Sequence, residues 1–217
     1  PERVRECQAG RVEASAGWKA RPGGADYEAQ RRRVVAAAEA LVRDHGVAAL
    51  RLDAVAAQVG LHRSSLYRYF DSKEELITAV VVQATMRVGR KVIDQLGTDA
   101  TPEQFLVDGL VIALAELAHD PVHRSLMAPT SSEAMARVGS RALTEGIAPL
   151  IEPMFAAAAE QQLLREGVTP EAALRWLQIV AAGLLQSPTV TTDRESLTQL
   201  LETMLVPALL RPATATR

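Results

Sequence analysis

The sequence is poor in residues that staple, coordinate or stack. Among 217 residues there is one cysteine, Cys7. No disulfide can close within the chain, and a zinc site built on thiolates is excluded, which fits a reducing compartment. Aromatic residues make up 4%. Long apolar runs are missing too: the longest uncharged stretch, Trp176 to Thr192, contains Gln178, Gln186, Ser187 and Pro188, so no segment reads as membrane-spanning. Charges break up the first 33 residues, leaving no visible secretory signal. The expectation is a cytoplasmic protein with no membrane partner.

Catalytic signatures are lacking as well. There is no G-x-S-x-G, no phosphate-binding glycine loop and no dinucleotide fingerprint. His119 and His123 have the i, i+4 spacing of a metal pair, but Asp120-Pro121 reads as a helix start between them and no Glu intervenes. The chain is therefore expected to be no enzyme, with no catalytic residue, no metal and no cofactor.

What is present is 48% hydrophobic residue, dominated by Ala, Leu and Val. That is enough for a sizeable core, and Ala and Leu favour helices. Net charge is only −2, but it is unevenly spread. Residues 1–91 hold 16 basic against 11 acidic residues, and residues 92–217 hold 8 against 15. Two readings stand at this point, chance asymmetry or a basic front half facing a polyanion.

Helix punctuation is legible along most of the chain. Residues 1–26 carry charges and glycines without an apolar period and read as an arm, with Val12 and Trp18 as its anchors. From Asp26, taken as a cap, Val34, Ala38, Leu41, Val42 and His45 mark one buried helix face, and Gly46 ends it. Short helices follow over 52–59 and 63–70. Ser72-Lys73-Glu74-Glu75 then has the capping-box form and opens a helix to about Leu96. Further helices are expected near 102–119, 121–127, 131–164, 170–187 and 193–210. Thr101, Asp120 and Thr169 cap three of them ahead of a proline, Thr192 and Glu195 box the last, and Pro149 and Pro153 kink or split the region 131–164. No strand is expected, so the fold class is all-α.

The segment Arg51 to Phe70 carries the chemistry. Val55, Ala56, Val59, Leu61 and Leu66 form a small shared core, and Gly60 permits a sharp turn between two short helices. The second helix presents Arg63, Ser64, Ser65, Tyr67 and Arg68. Arginine pairs bidentately with guanine in the major groove, while Ser and Tyr hydroxyls bind phosphates. Lys73 adds a cation at a helix N-terminus.

The run Val55-Ala56, Gly60-Leu61 and Ser65-Leu66-Tyr67-Arg68-Tyr69-Phe70-Asp71-Ser72-Lys73-Glu74-Glu75-Leu76 resembles the signature of the tetracycline-repressor (TetR) family, over about residues 30–90. The resemblance implies a three-helix head with a helix-turn-helix, a connecting fourth helix, and a helical C-terminal body that dimerises and binds a small effector. It implies an arm at 1–26, a DNA-binding domain at 27–91 with its motif at 51–70, and an effector-binding and dimerisation domain at 92–217. By position it implies DNA contacts at Arg51, His62, Arg63, Ser64, Ser65, Tyr67, Tyr69 and Lys73. Two residues depart from the pattern: Arg51 stands where a Ser or Thr cap is usual, and His62 where Ser usually opens the recognition helix. His62 either reads a base or caps the helix.

The body carries less signature. Leu197, Leu200, Leu201, Met204, Leu205, Ala208 and Leu209 form an apolar stripe, and the helix before it is apolar nearly all round. Together with the resemblance, this suggests a homodimer interface through Leu177, Leu184, Leu201, Met204 and Leu205. Asp108, Ile112, Glu116 and His119 share a helix face that is either a pocket wall or the solvated side. With Phe105, Met127, Met154, Phe155, Trp176 and Gln178, the residues Asp108, Ile112 and His119 are the ligand candidates. Aromatics are few in this half, so an aliphatic or bulky apolar effector is expected. The expected function is a repressor binding a palindromic double-stranded DNA operator. The alternative is a helical ligand-binding or scaffold protein with a degenerate head.

Overall fold

The computed structural model describes residues 24–97, 99–126, 133–187 and 193–212. Cys7, Val12, Trp18, Met127 and Thr192 lie outside the described residues. Among those described, the structure is helical, and the extended pairing is an isolated antiparallel bridge between Leu164 and Leu210.

Helix α1 spans Ala25–His45, with Val34, Ala38 and Val42 buried and Leu41 half-buried, as the spacing predicts, but with His45 exposed. Its N-cap is Gly24 rather than Asp26, and no side chain caps it. Asp26 instead lies in the first turn, where its charge still suits the helix dipole. Gly46, at φ 79°, ends the helix. Helix α2 (Leu52–Gln58) closes in a Schellman turn: the Leu61 N–H donates to the Ala56 carbonyl at 2.9 Å and the Gly60 N–H to that of Ala57 at 3.2 Å. Gly60 takes φ 69° there, the left-handed conformation that glycine adopts without penalty.

Helix α3 covers only Arg63–Leu66, shorter than the expected 63–70. Beyond it the chain turns inward, and the N–H groups of Tyr69 and Phe70 both donate to the Leu66 carbonyl. That turn buries Phe70. Helix α4 (Lys73–Leu96) starts at Ser72, whose hydroxyl accepts from the Glu75 N–H at 3.1 Å. The box closes one residue early, because the Glu75 carboxylate accepts from the Asp71 N–H at 2.6 Å rather than from Ser72.

The expected helix over 102–119 is three segments in one run: α5 (Pro102–Gln104), a π-turn (Phe105–Gly109) and α6 (Leu110–His119). Thr101 and Gln104 complete a capping box at its start. Helix α7 is Pro121–Leu126 and α8 is Glu133–Glu160. Of the two expected outcomes, a kink or a split, Pro149 and Pro153 do not split α8. Both are exposed and one turn apart, so the carbonyls that lose an N–H partner, those of Glu145 and Pro149, face water. Helix α9 (Pro170–Leu185) is capped by Thr169. The C-terminal helix runs from Arg194–Leu200 through a second π-turn (Leu201–Leu205) into Val206–Leu209. Its cap is Asp193, not Thr192: the Asp193 carboxylate accepts from the Glu195 N–H at 3.1 Å.

Two apolar cores result. The first gathers α1 to α3, the first half of α4 and α7 around Val34, Leu50, Val55, Leu66, Phe70 and Leu76. The second gathers the body around Leu106, Phe155, Leu177 and Leu201. Helix α4 passes from one to the other.

Helix α8 ends in another Schellman turn, with Gln162 at φ 57° in the position glycine usually fills. Gln162→Gly is expected to raise stability by about 0.5–1 kcal/mol by relieving the left-handed side chain. Urea denaturation checks this through a higher midpoint at unchanged slope.

Candidate nucleic-acid interface and ligand cavity

Two short helices alone cannot hold a surface, because a single helical turn is unfavourable in water. Leu66, 2% exposed, anchors α3 in the first core, and Val55 and Ala56 anchor α2. Arg63, Ser64 and Tyr67 are left exposed, and Ser65 is half-buried. Arg51 and His62 are the N-cap residues of α2 and α3, and neither side chain makes a capping bond. His62 is therefore an exposed side chain rather than a cap. The Arg63 guanidinium stands 3.5 Å from the Asp53 carboxylate across the turn. Its pKa is raised, first by the Tyr67 side chain and then by Asp53.

Tyr69 is half-buried, and its ring stacks on Tyr27 with centroids 4.9 Å apart. The Tyr27 hydroxyl donates to the Arg68 carbonyl at 3.1 Å. Arg31 lies 4.7 Å over the Phe70 ring. These α1 residues hold the far end of α3 in place, and the sequence reading missed them because nothing in one helix announces a partner some 40 positions away. Lys73 is the first residue of α4 and is half-buried.

In the body a cavity of about 70 Å³ lies between α4, α6, α8 and α9. Of the expected ligand residues it takes Phe105 and Gln178. The others lie elsewhere. Asp108 and Ile112 are half-buried off the cavity, and Phe155 is fully enclosed in the second core. Met154 packs against that core, Trp176 is 46% exposed, and Met127 lies outside the described residues. His119 is exposed, its Nδ1 bonded to the Ala115 carbonyl at 2.7 Å. The walls that sequence reasoning missed come from α4: Thr85, Val88, Gly89 and Val92. Gly89 in mid-helix was the available signal. Thr85 and Gln178 supply the polar groups of an otherwise apolar lining.

The expected dimer residues divide into two sets. Leu177, Leu184, Leu201 and Leu205 are buried within this one chain, and Leu177 lines the cavity. The apolar stripe divides along the helix: one edge turns inward, while Leu200 and Met204 stay exposed, Met204 at 67%. On α9 the outward residues are Trp176 and Ile179.

Residues 34–80, which build this head, match the family model described as "Bacterial regulatory proteins, tetR family". Over those residues the head is similar to TetR-family regulators. It is 32% identical over 104 residues to the "Uncharacterized HTH-type transcriptional regulator Rv1255c" of Mycobacterium tuberculosis, covering 45% of this chain and 52% of the relative. The chain thus spans about half the length of that relative. Among solved structures it resembles SmeT, described as the repressor of the Stenotrophomonas maltophilia multidrug efflux pump SmeDEF, at 25% identity and TM-score 0.51, over 86% of this chain and 93% of SmeT. RolR without ligand shares the fold at TM-score 0.62 and 16% identity, over 80% and 89% of the two chains.

Between the head and body of this chain runs a set of polar groups centred on the buried Glu39, Thr85 and His123. Glu39 of α1, 3% exposed, accepts from Gln83 at 2.7 Å, from Arg87 at 2.5 Å and from Arg43 at 3.2 Å. Arg87 also donates to Asp120 at 2.9 Å. Asp120 caps α7, accepting from the N–H groups of Val122 and His123 at 2.9 and 3.1 Å. Its Oδ1 meets His123 Nδ1 at 3.0 Å, and His123 Nε2 meets the Thr85 hydroxyl at 2.9 Å. Burial opposes ionisation of Asp120, but bonds from the His123 side chain and backbone and from Arg87 outweigh it and hold the carboxyl well below the usual carboxylate range.

A depressed carboxylate contributes stability that is present above its unfolded pKa, about 3.9, and lost as pH falls below that value. Asp120→Asn keeps a capping oxygen but no titrating charge. The stability gap between wild type and Asp120→Asn is expected to be largest near pH 6 and to shrink towards pH 3. Urea midpoints across that range test it, and a gap independent of pH would contradict it.

Proposed function

We propose that the chain is a sequence-specific DNA-binding transcriptional regulator acting as a repressor. It binds double-stranded DNA as a homodimer, one α3 in the major groove of each half of a pseudo-palindromic operator, and a small apolar effector releases it. The observation that carries this reading is the exposed row Arg63, Ser64 and Tyr67 on a helix held rigid from below by Leu66 and from behind by Tyr27. Arg63 is the base reader, and in the free protein it is parked on Asp53. That pair is exposed on both sides, so exchanging it for a guanine costs little. Arg51, His62, Ser65 and Tyr69 flank the row, and Lys73 brings a cation and a helix N-terminus to a phosphate.

The body is read as the control unit. Its apolar cavity, with one hydroxyl and one amide, suits an aliphatic or compact apolar molecule oriented by one or two hydrogen bonds. SmeT, a repressor of similar fold, also has a structure described as a complex with triclosan, at 23% identity to this chain, which supports a small apolar effector. The dimer forms through the outward faces of α9 and the C-terminal helix, where Trp176, Ile179, Leu200 and Met204 stand exposed.

Selection of binding sites from random duplex, followed by anisotropy titration, tests the DNA reading. Arg63→Ala is expected to cost about 1–3 kcal/mol and relax preference at one base pair per half-site. Lys73→Ala should weaken binding to every sequence and reduce the salt dependence by about one phosphate. Equal affinity of the wild type for selected and random duplex at physiological salt would overturn the reading in favour of a ligand-binding or scaffold protein. For the dimer, Ile179→Glu/Met204→Glu should sediment as a folded monomer, since both positions are open to water within one chain. A wild type that is monomeric at micromolar concentration counts against the interface.

A further inference from the structure

The cavity is too small for the effector class just described. Ligand pockets usually measure about 300–1,000 Å³, and this one holds about 70 Å³. An occupant of useful size must therefore select a state in which the walls have separated. One wall has little freedom. A Cβ built on Gly146 of α8 would lie 2.9 Å from the Thr85 Cβ and 3.2 Å from the Val82 carbonyl, so α4 and α8 already touch backbone to side chain. Expansion that separates α4 from α6 then has α8 as its fixed support, and it also bears on α7, which α4 contacts through His123.

That displacement meets the buried polar groups. Thr85 lines the cavity and bonds His123. Two residues on, Arg87 joins Asp120 of α7 to Glu39 of α1. Hydrogen bonds of this kind tolerate only a few tenths of an ångström before they weaken, and Glu39, Thr85 and His123 are too buried to exchange partners for water cheaply, although Arg87 is only half-buried. Among the described residues no buried side-chain polar atom lacks a partner. Such a set has few intermediate positions: it holds as built or it breaks and rearranges. Apolar residues of the same volume would stabilise the packing at least as well. What the charged groups add is a fixed register between α1, α4 and α7.

We propose that the chain Thr85–His123–Asp120–Arg87–Glu39 is the link through which occupancy of the cavity sets the position of the head, with the Thr85 hydroxyl as its input and Glu39 on α1 as its output. The proposal rests on the regulator reading for its biological consequence, but not for its test. His123 and Asp120 are positioning residues: they touch neither DNA nor the occupant. An effector gains leverage by separating α4 from α6, which Thr85 and His123 report to α7, and Arg87 to α1.

The probe is a cavity-filling substitution. Ala181→Leu on α9 places a larger side chain in the cavity and stands in for an effector. Should it fail to fold, Ala113→Val fills the same space from α6. The full-length protein is compared with Ala181→Leu, Thr85→Val, Asp120→Asn and the two double variants. One readout is affinity for the selected duplex. The other is amide hydrogen exchange in α1, which needs no DNA. Filling the cavity is expected to weaken duplex binding at least tenfold and speed exchange in α1 at least fivefold. Thr85→Val removes the hydroxyl at nearly constant volume, and Asp120→Asn weakens the tie to Arg87. In either background, filling the cavity should change both readouts by less than threefold. Effects that multiply independently across the double variants would overturn the link, as would a filled cavity that leaves α1 exchange unchanged. If α1 exchange responds as stated but no duplex is ever selected, the link stands and the regulator reading falls.

Discussion

The position of α4 is the constraint on which the rest of the structure depends, and the Glu39–Arg87 pair is what fixes it. Glu39 is a carboxylate almost sealed from solvent in the first core. Without donors its burial would carry a large desolvation cost. Three donors answer it, two of them from α4. Once Arg87 is committed to Glu39, its second nitrogen can reach only a carboxylate beside it, and Asp120 is placed there by its own duty as the α7 cap. Head, connecting helix and body are thus locked in one register by groups that each have a local reason to be where they are. Removing Glu39 would leave Arg87 and Gln83 without their shared acceptor, whereas removing one donor leaves Glu39 with the other two.

The same register reaches the surface proposed to face DNA. Helix α3 is a single turn, with no intrinsic stability of its own. Its orientation comes from Leu66 and Phe70 beneath it and from Tyr27 and Arg31 beside it, and both of the latter are α1 residues. Whatever moves α1 therefore moves α3.

Much of this was legible in the sequence, for identifiable reasons. Helix boundaries followed from local chemistry: Thr101, Asp120, Thr169 and Ser72 cap where they were read as caps, and Gly46, Gly60 and Gly97 take the left-handed conformations that end helices. The exposed row on α3 was readable because the spacing of its apolar anchors on two short helices is itself the motif. The misses share one character. Tyr27 against Tyr69, Gly146 against Thr85, and Arg87 between Glu39 and Asp120 are all pairings between distant segments, and periodicity within a helix is silent about its neighbours. The C-terminal stripe shows this most clearly. A 3-4 spacing defines an apolar band but not which edge faces its own chain, and here the inner edge took Leu201 and Leu205 while the outer kept Leu200 and Met204. Pro149 and Pro153 lie inside an unsplit α8, on an exposed face where carbonyls without an N–H partner can bond water.

The two π-turns suggest why the cavity exists where it does. Each inserts one residue's worth of extra backbone into a helix and rotates the side chains beyond it by about a quarter turn. The turn at Phe105–Gly109 sets Phe105, Gly109 and Leu110 on the cavity side, and it packs against the turn at Leu201–Leu205. Regular α-helix through this region would rotate that set away and bring a different face of α6 to α4. Gly109 also keeps the contact thin, since a Cβ there would meet the Leu96 Cδ1 at 3.2 Å. The wall opposite Thr85 is thus the irregular, glycine-containing one, while Thr85 itself is backed by the close crossing at Gly146. An occupant pressing outward between these walls works against a stiff support on the α8 side. The strain it creates has to travel along α4, towards the ends where Arg87 and the head are attached.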